Sequence, residues 1–139
     1  MSRFTKLDAA LQPLPADATG HVAVLDNQLN LIWSVDNVGG KRLNWAEAKE
    51  AVATLDLGGK TDWRLPTVEE LFLLADRTRF EPAIDTDAFP ACESSFYWSG
   101  TADASSSDCA WGVGFHGGSS GWSDVDDEAF VRAVRAPSQ

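Results

Sequence analysis

Apolar residues in the first half of this chain come first in two short runs and then at helical spacing. The runs are "HVAVLD" (His21 to Asp26) and "LNLIWS" (Leu29 to Ser34), separated by Asn27 and Gln28. Two such runs around a short polar break predict a pair of strands. In "NWAEAKEAVATLDLGG" the residues Trp45, Ala48, Val52 and Leu55 then fall on one helical face. Asn44 is suited to cap that helix, Glu47 to its first turn, and Gly58-Gly59 to its stop. A second helix is predicted in "WRLPTVEELFLLAD". Thr67 and Glu70 there have the spacing of a capping box, and Val68, Leu71, Leu74 and Ala75 form the stripe to be buried.

After about residue 80 the texture changes. "RFEPAIDTDAFPACESS" reads as a long loop with Pro82 and Pro90, and three strand-like pieces follow: "FYWSG", "AWGVGF" and "AFVRAVRA". Turn-rich segments, "TADASSSDC" and "HGGSSGWSDVDDE", separate them. Strands, then helices, then strands again predict an α+β domain with small antiparallel sheets rather than an alternating parallel architecture. Residues 1–20, with Pro13 and Pro15, read as an N-terminal arm or linker, and residues 21–139 as a single domain.

Composition adds limits. The 139 residues suffice for one domain with a proper core, and the six tryptophans supply anchors for it. A net charge of −10 argues against nucleic acid and anionic membranes as partners, since both are held by Lys and Arg. It suits good solubility and a cationic partner. No apolar run approaches the ~20 residues that span a bilayer, and no secretory h-region is apparent near the start. The expected location is therefore cytoplasmic, with a phage particle or a cell surface reached by a signal-independent route as the alternative.

"WGVGFHGGSSGW" (Trp111 to Trp122) contains two well-known glycine patterns. Gly112, Gly114 and Gly117 spell the dinucleotide fingerprint, which requires a helix to follow it, and "SDVDDE" has no helical period. Gly117, Ser119 and Gly121 spell a nucleophile elbow, whose histidine comes later in the chain. Here both histidines, His21 and His116, precede Ser119. Trp111, Val113 and Phe115 instead alternate like an inward-facing strand, with glycines on the other face. Cys92 and Cys109 give one disulfide or two free thiols and lack zinc-ligand spacing with His116. The acidic run Asp124 to Glu128 reads as a solvated turn, with calcium as the minor alternative. No other cofactor is expected.

Four separated motifs, in order, closely resemble the bacterial Lcl C-terminal domain family. "LDNQLNLIW" is similar to its opening D-x-x-T-G-L-x-W, and "DWRLPTVEEL" to W-R-L-P-T-x-x-E-L. "FYWSGTADASSSDCAWGVGF" is similar to Y-W-S-S-T followed by A-W-x-V-x-F, and "FVRAVR" to V-R-C-V-R. The resemblance runs from about Val24 to Arg135. It implies a C-type-lectin-like fold of two helices, small antiparallel sheets and a long loop region. Relatives are mainly binding and adhesion modules, some of them trimeric and some binding sulfated glycans. A separate branch of the fold, the formylglycine-generating enzymes, is catalytic through cysteines. The family cysteine of V-R-C-V-R is Ala133 here, and its partner falls near Val52, so packing is expected to replace that staple. The calcium and sugar signatures of animal C-type lectins are missing.

On this reading Trp63, Trp98 and Trp111 belong to the core, as do Arg64 and Arg132, tied into hydrogen-bond or ion-pair networks. Function is expected in the loops around 101–109 and 116–128, since binding residues favour loops on a rigid scaffold. Trp122 is the expected aromatic anchor, with His116, Asp103, Asp108, Asp124 and Asp126 as polar contacts. The primary expectation is a non-catalytic recognition module for a protein or glycan ligand, with homo-oligomerisation open. An accessory subunit docking on a larger protein complex through its acidic surface and arm is the alternative. An enzyme using Cys92 or Cys109 ranks third.

Overall fold

The two N-terminal apolar runs form the expected hairpin. In the computed structural model, which describes residues 3–137, β2 (Ala23–Asp26) and β3 (Leu31–Ser34) pair antiparallel, with Ala23 opposite Ser34 and Asp26 opposite Leu31. The turn between them is organised by the buried Asp26 carboxylate, which accepts the amides of Gln28 and Leu29. Asn30 closes the turn with φ at 56°, a left-handed conformation that asparagine tolerates. Asp26 is also paired bidentately by Arg3, at 3.0 and 2.9 Å, and accepts the Trp33 indole N–H at 3.2 Å.

The stretch expected as an arm is built into this sheet. Phe4–Leu7 forms β1, antiparallel to β2, and Leu14 N–H donates to the Lys6 carbonyl to continue the edge. Proline punctuation suggested a linker, but Phe4 and Leu7 supply apolar anchors, and Leu7 is buried. The short β7 (Val134–Arg135) completes the order β1-β2-β3-β7.

All four residues of β3 are buried because this sheet is covered on both sides. Trp33 joins a cluster with Val24, Leu71, Leu74, Phe89, Tyr97, Val113 and Phe115. Ile32 joins another with Ala48, Val52, Trp63, Trp98, Val131 and Ala133. Val52 and Ala133, the positions where the family pattern would place a cysteine pair, are thus buried in one apolar cluster. Cys92 and Cys109 are unbridged thiols, each half-buried.

Both helices start as their sequences dictate. In α1 (Trp45–Ala53) Asn44 accepts the Glu47 amide at 2.9 Å and Glu47 accepts the Asn44 amide at 3.0 Å, the reciprocal capping box. Its stop differs from expectation. The helix ends at Ala53, where Thr54 returns its hydroxyl to the Glu50 carbonyl. Gly58 and Gly59, both at positive φ, instead make a two-residue turn closed by reciprocal bonds between Leu57 and Lys60.

In α2 (Val68–Leu74) the Thr67–Glu70 capping box forms as predicted, and Leu71, Leu74 and the following Ala75 are buried. Arg64 grips the same Glu70 carboxylate bidentately, at 2.8 and 2.9 Å, but from an exposed position rather than from the core. Arg132 is buried, as is Arg135. The Arg132 guanidinium carbon lies 4.6 Å from the Phe89 ring centroid and 5.1 Å from that of Tyr97. Its bond to the Ser34 carbonyl is long, at 3.5 Å.

The second sheet has the order β4-β5-β6: β4 (Phe96–Ala102), β5 (Cys109–Gly114) and β6 (Ser119–Asp124). β6 lies inside the segment expected to be a turn. Five of its six residues are Ser, Gly or Asp, so no apolar alternation announces it; pairing with β5 makes it a strand. Because a strand follows Gly117, neither glycine pattern has its required context. Gly112 has a packing reason: a Cβ there would collide with the Tyr97 carbonyl and the Phe96 ring. Among the described residues no helix is long and apolar enough to cross a membrane.

Candidate functional site

The β5–β6 register places Trp111 directly opposite Trp122. The two indoles meet edge to face, with centroids 5.6 Å apart and an interplanar angle of 68°, a favourable aromatic geometry. Trp122 remains 63% exposed. Trp111 is half-buried rather than a core residue. Val113 and Phe115, on the same face of the strand, go fully inside, but Trp111, nearer the start of β5, lines an open groove.

The other wall of that groove is α2. Its first amide, Val68 N–H, donates to the Thr101 hydroxyl at 3.0 Å, tying the helix start to β4. At its other end Arg77 donates to the Phe72 carbonyl at 2.8 Å and lies 3.7 Å over the Phe72 ring. Pinned this way, α2 turns Leu71 and Leu74 inward and leaves Phe72 and Leu73 37% and 47% exposed. Between helix and sheet runs this groove, of about 560 Å³, lined by Val68, Glu69, Phe72, Leu73, Thr101, Trp111 and Ser120. Ser120 and Trp122 alternate onto the same face of β6, so the exposed indole continues the groove wall.

The other expected contact residues are divided between the two ends of the hairpin. Asp108 accepts the Val125 amide, and Cys109 faces Asp124 in the register, so Asp103, Asp108, Asp124 and Asp126 gather beyond the far end of β6. Asp103 accepts the Ser105 amide and hydroxyl, and Asp124 accepts the Asp126 amide; these carboxylates organise their own turns. Among the described residues none of the four has an ion-pair partner, and no group of three His, Cys, Asp or Glu is arranged to hold a metal ion. His116 lies at the opposite end, in the β5–β6 turn, 3.7 Å from Glu81 and highly exposed. The length of β6 separates it from the aspartates, so a single site does not use both.

Trp111, Phe72, Leu73 and Val68 were not anticipated as site residues. A signal for them was present. α2 reads "VEELFLL", with five apolar residues in seven, more than one buried face of so short a helix can absorb. The surplus faces the groove.

The sequence model of the Lcl C-terminal domain matches residues 22–135, and therefore most of the chain. No curated protein matches it.

Proposed function

The chain belongs to the Lcl C-terminal domain family, and from that membership we propose a non-catalytic recognition module of C-type-lectin-like architecture. It binds its ligand in the groove between α2 and the β5–β6 hairpin. One observation carries this reading. An exposed tryptophan, packed edge to face on a second, continues an apolar groove on a chain of net charge −10. Isolated exposed apolar residues need no explanation, but Phe72 and Leu73 share one groove and Trp122 stands beside it against Trp111, as binding anchors do. The acidity disfavours sulfated glycans and favours a protein ligand over an anionic one.

A non-enzymatic role fits Cys92. Burial pushes the Cys92 thiol up, despite the nearby Arg132, away from the thiolate form that covalent chemistry needs. The accessory-subunit alternative would draw on the acidic surface and residues 8–20 of the arm, since residues 4–7 are committed to the four-stranded sheet.

The test is a ligand screen over peptide and oligosaccharide arrays, with wild type and Trp122→Ala compared on each hit. The expected outcome is at least a tenfold loss of affinity in the variant, with a melting temperature lowered by no more than about 5 °C. A ligand bound equally well by Trp122→Ala would sink the groove as its site.

A further inference from the structure

We infer that β6 is a docking edge for an extended, basic protein segment, which adds to the β4-β5-β6 sheet as a fourth strand. This rests on the groove reading above and specifies its ligand.

The first ground is the state of the sheet edges. Among the described residues each other edge is covered at least in part. Leu14 closes β1 through the Lys6 carbonyl, Arg64 exchanges two bonds with Val134 at β7, and Phe130 bonds Phe96 and Trp98 along β4. β6 alone has none of this. Phe115 N–H donates to the Ser95 carbonyl, which fixes the alternation of β5: Gly112 and Gly114 turn their backbone toward β6 and bond Gly121 and Ser119. Ser120 and Trp122 therefore point both N–H and C=O outward, and no described group bonds them. Proteins normally blunt such an edge, and an open one is a template for strand addition.

The second ground is chemical difference between the two faces beside that edge. On the Ser120–Trp122 face lies the apolar groove with Trp111, Phe72 and Leu73. On the opposite face Ser123 lines a hollow with Asp126, Asp127 and Glu128, against a single cation, Arg42. None of those three carboxylates has an ion-pair partner among the described residues. A strand laid on β6 would place alternate side chains on these two faces. The matching segment alternates apolar with Lys or Arg. A second copy of this chain is disfavoured as the occupant, because each copy carries −10.

The probe is a capped nine-residue peptide alternating valine and lysine, titrated onto the full chain by calorimetry. Two further versions carry N-methyl groups on one alternate set of residues or on the other, and a fourth replaces lysine by glutamate. Strand addition predicts that one methylated set loses at least tenfold in affinity while the other binds nearly as the parent. It also predicts that the glutamate peptide does not bind, and that Ser120→Pro, which removes one outward N–H, weakens the parent. The methylated peptides use the wild-type chain, so the answer does not depend on the variant folding. If both methylated sets bind like the parent, or the glutamate peptide binds equally, the inference is overturned. It is equally overturned if the peptide fails while a neutral oligosaccharide such as chitohexaose binds in a Trp122-dependent way; the groove reading then stands. If the peptide binds but is indifferent to Trp122→Ala, the groove reading is what fails.

Discussion

Trp111 and Trp122, directly opposed across the β5–β6 register, pack edge to face at 5.6 Å, and one is half-buried while the other is open to solvent. The pair should therefore be coupled yet unequal. Trp111 touches both the groove and the sheet, so Trp111→Ala should be the more destabilising of the two in urea unfolding. The double-mutant cycle should return a coupling of about 1 kcal/mol, the worth of a well-oriented aromatic pair. A coupling near zero would mean that the exposed indole is not held by its neighbour.

The glycines of "WGVGFHGGSSGW" can be sorted by what surrounds them. A Cβ on Gly112 would run into the Tyr97 carbonyl and the Phe96 ring, and a backbone oxygen in a strand cannot move aside cheaply. Gly112→Ala should cost about 2–3 kcal/mol, at the upper end of overpacking. At Gly121 nothing lies within 4 Å and φ is not positive, so Gly121→Ala should stay within about 0.5 kcal/mol of wild type. Chemical denaturation of the two variants checks the contrast. Equal stability would remove the close approach of β4 and β5 as the reason for glycine at 112.

What the sequence revealed follows the range of the forces involved. Asn44–Glu47 and Thr67–Glu70 are capping boxes made within four residues; the second appears as predicted, and the first adds a reciprocal Glu47 bond to the cap expected at Asn44. The β2–β3 hairpin is equally local. β6 is not: its polar residues become a strand only through β5, which no period in "SSGWSD" can announce. Trp111 shares the alternation of Val113 and Phe115, yet its burial depends on how far α2 reaches along β5, a tertiary fact. Gly58-Gly59 looked like a helix stop because glycine serves helix ends and hairpin turns alike; Thr54 ends the helix first. For the site, Trp122 could be singled out from its polar surroundings. The groove beside it needed the relative placement of α2 and the hairpin.

Tyr97 offers a sharp test of the core because it is the chain's only tyrosine. Its hydroxyl donates to Asn37 Oδ1 at 2.6 Å and accepts the Glu93 amide at 2.9 Å, and the side chain is fully buried. Burial pushes its ionisation far above the ordinary tyrosine range, more than the nearby Arg132 can offset. A folded-state value raised above the unfolded one means that the native advantage is complete below the unfolded pKa of about 10 and erodes as pH rises above it. This one group should remove about 1.4 kcal/mol of stability per pH unit there. Absorbance at 295 nm should stay flat while the fold persists, then rise in one step together with the loss of far-ultraviolet ellipticity. Tyr97→Phe should abolish this contribution to the alkaline slope, at a cost of about 1–2 kcal/mol at neutral pH for the stranded Asn37 and Glu93 groups. Gradual tyrosinate formation with a midpoint near pH 10 in the folded protein would show that the hydroxyl is not sealed between Asn37 and Glu93.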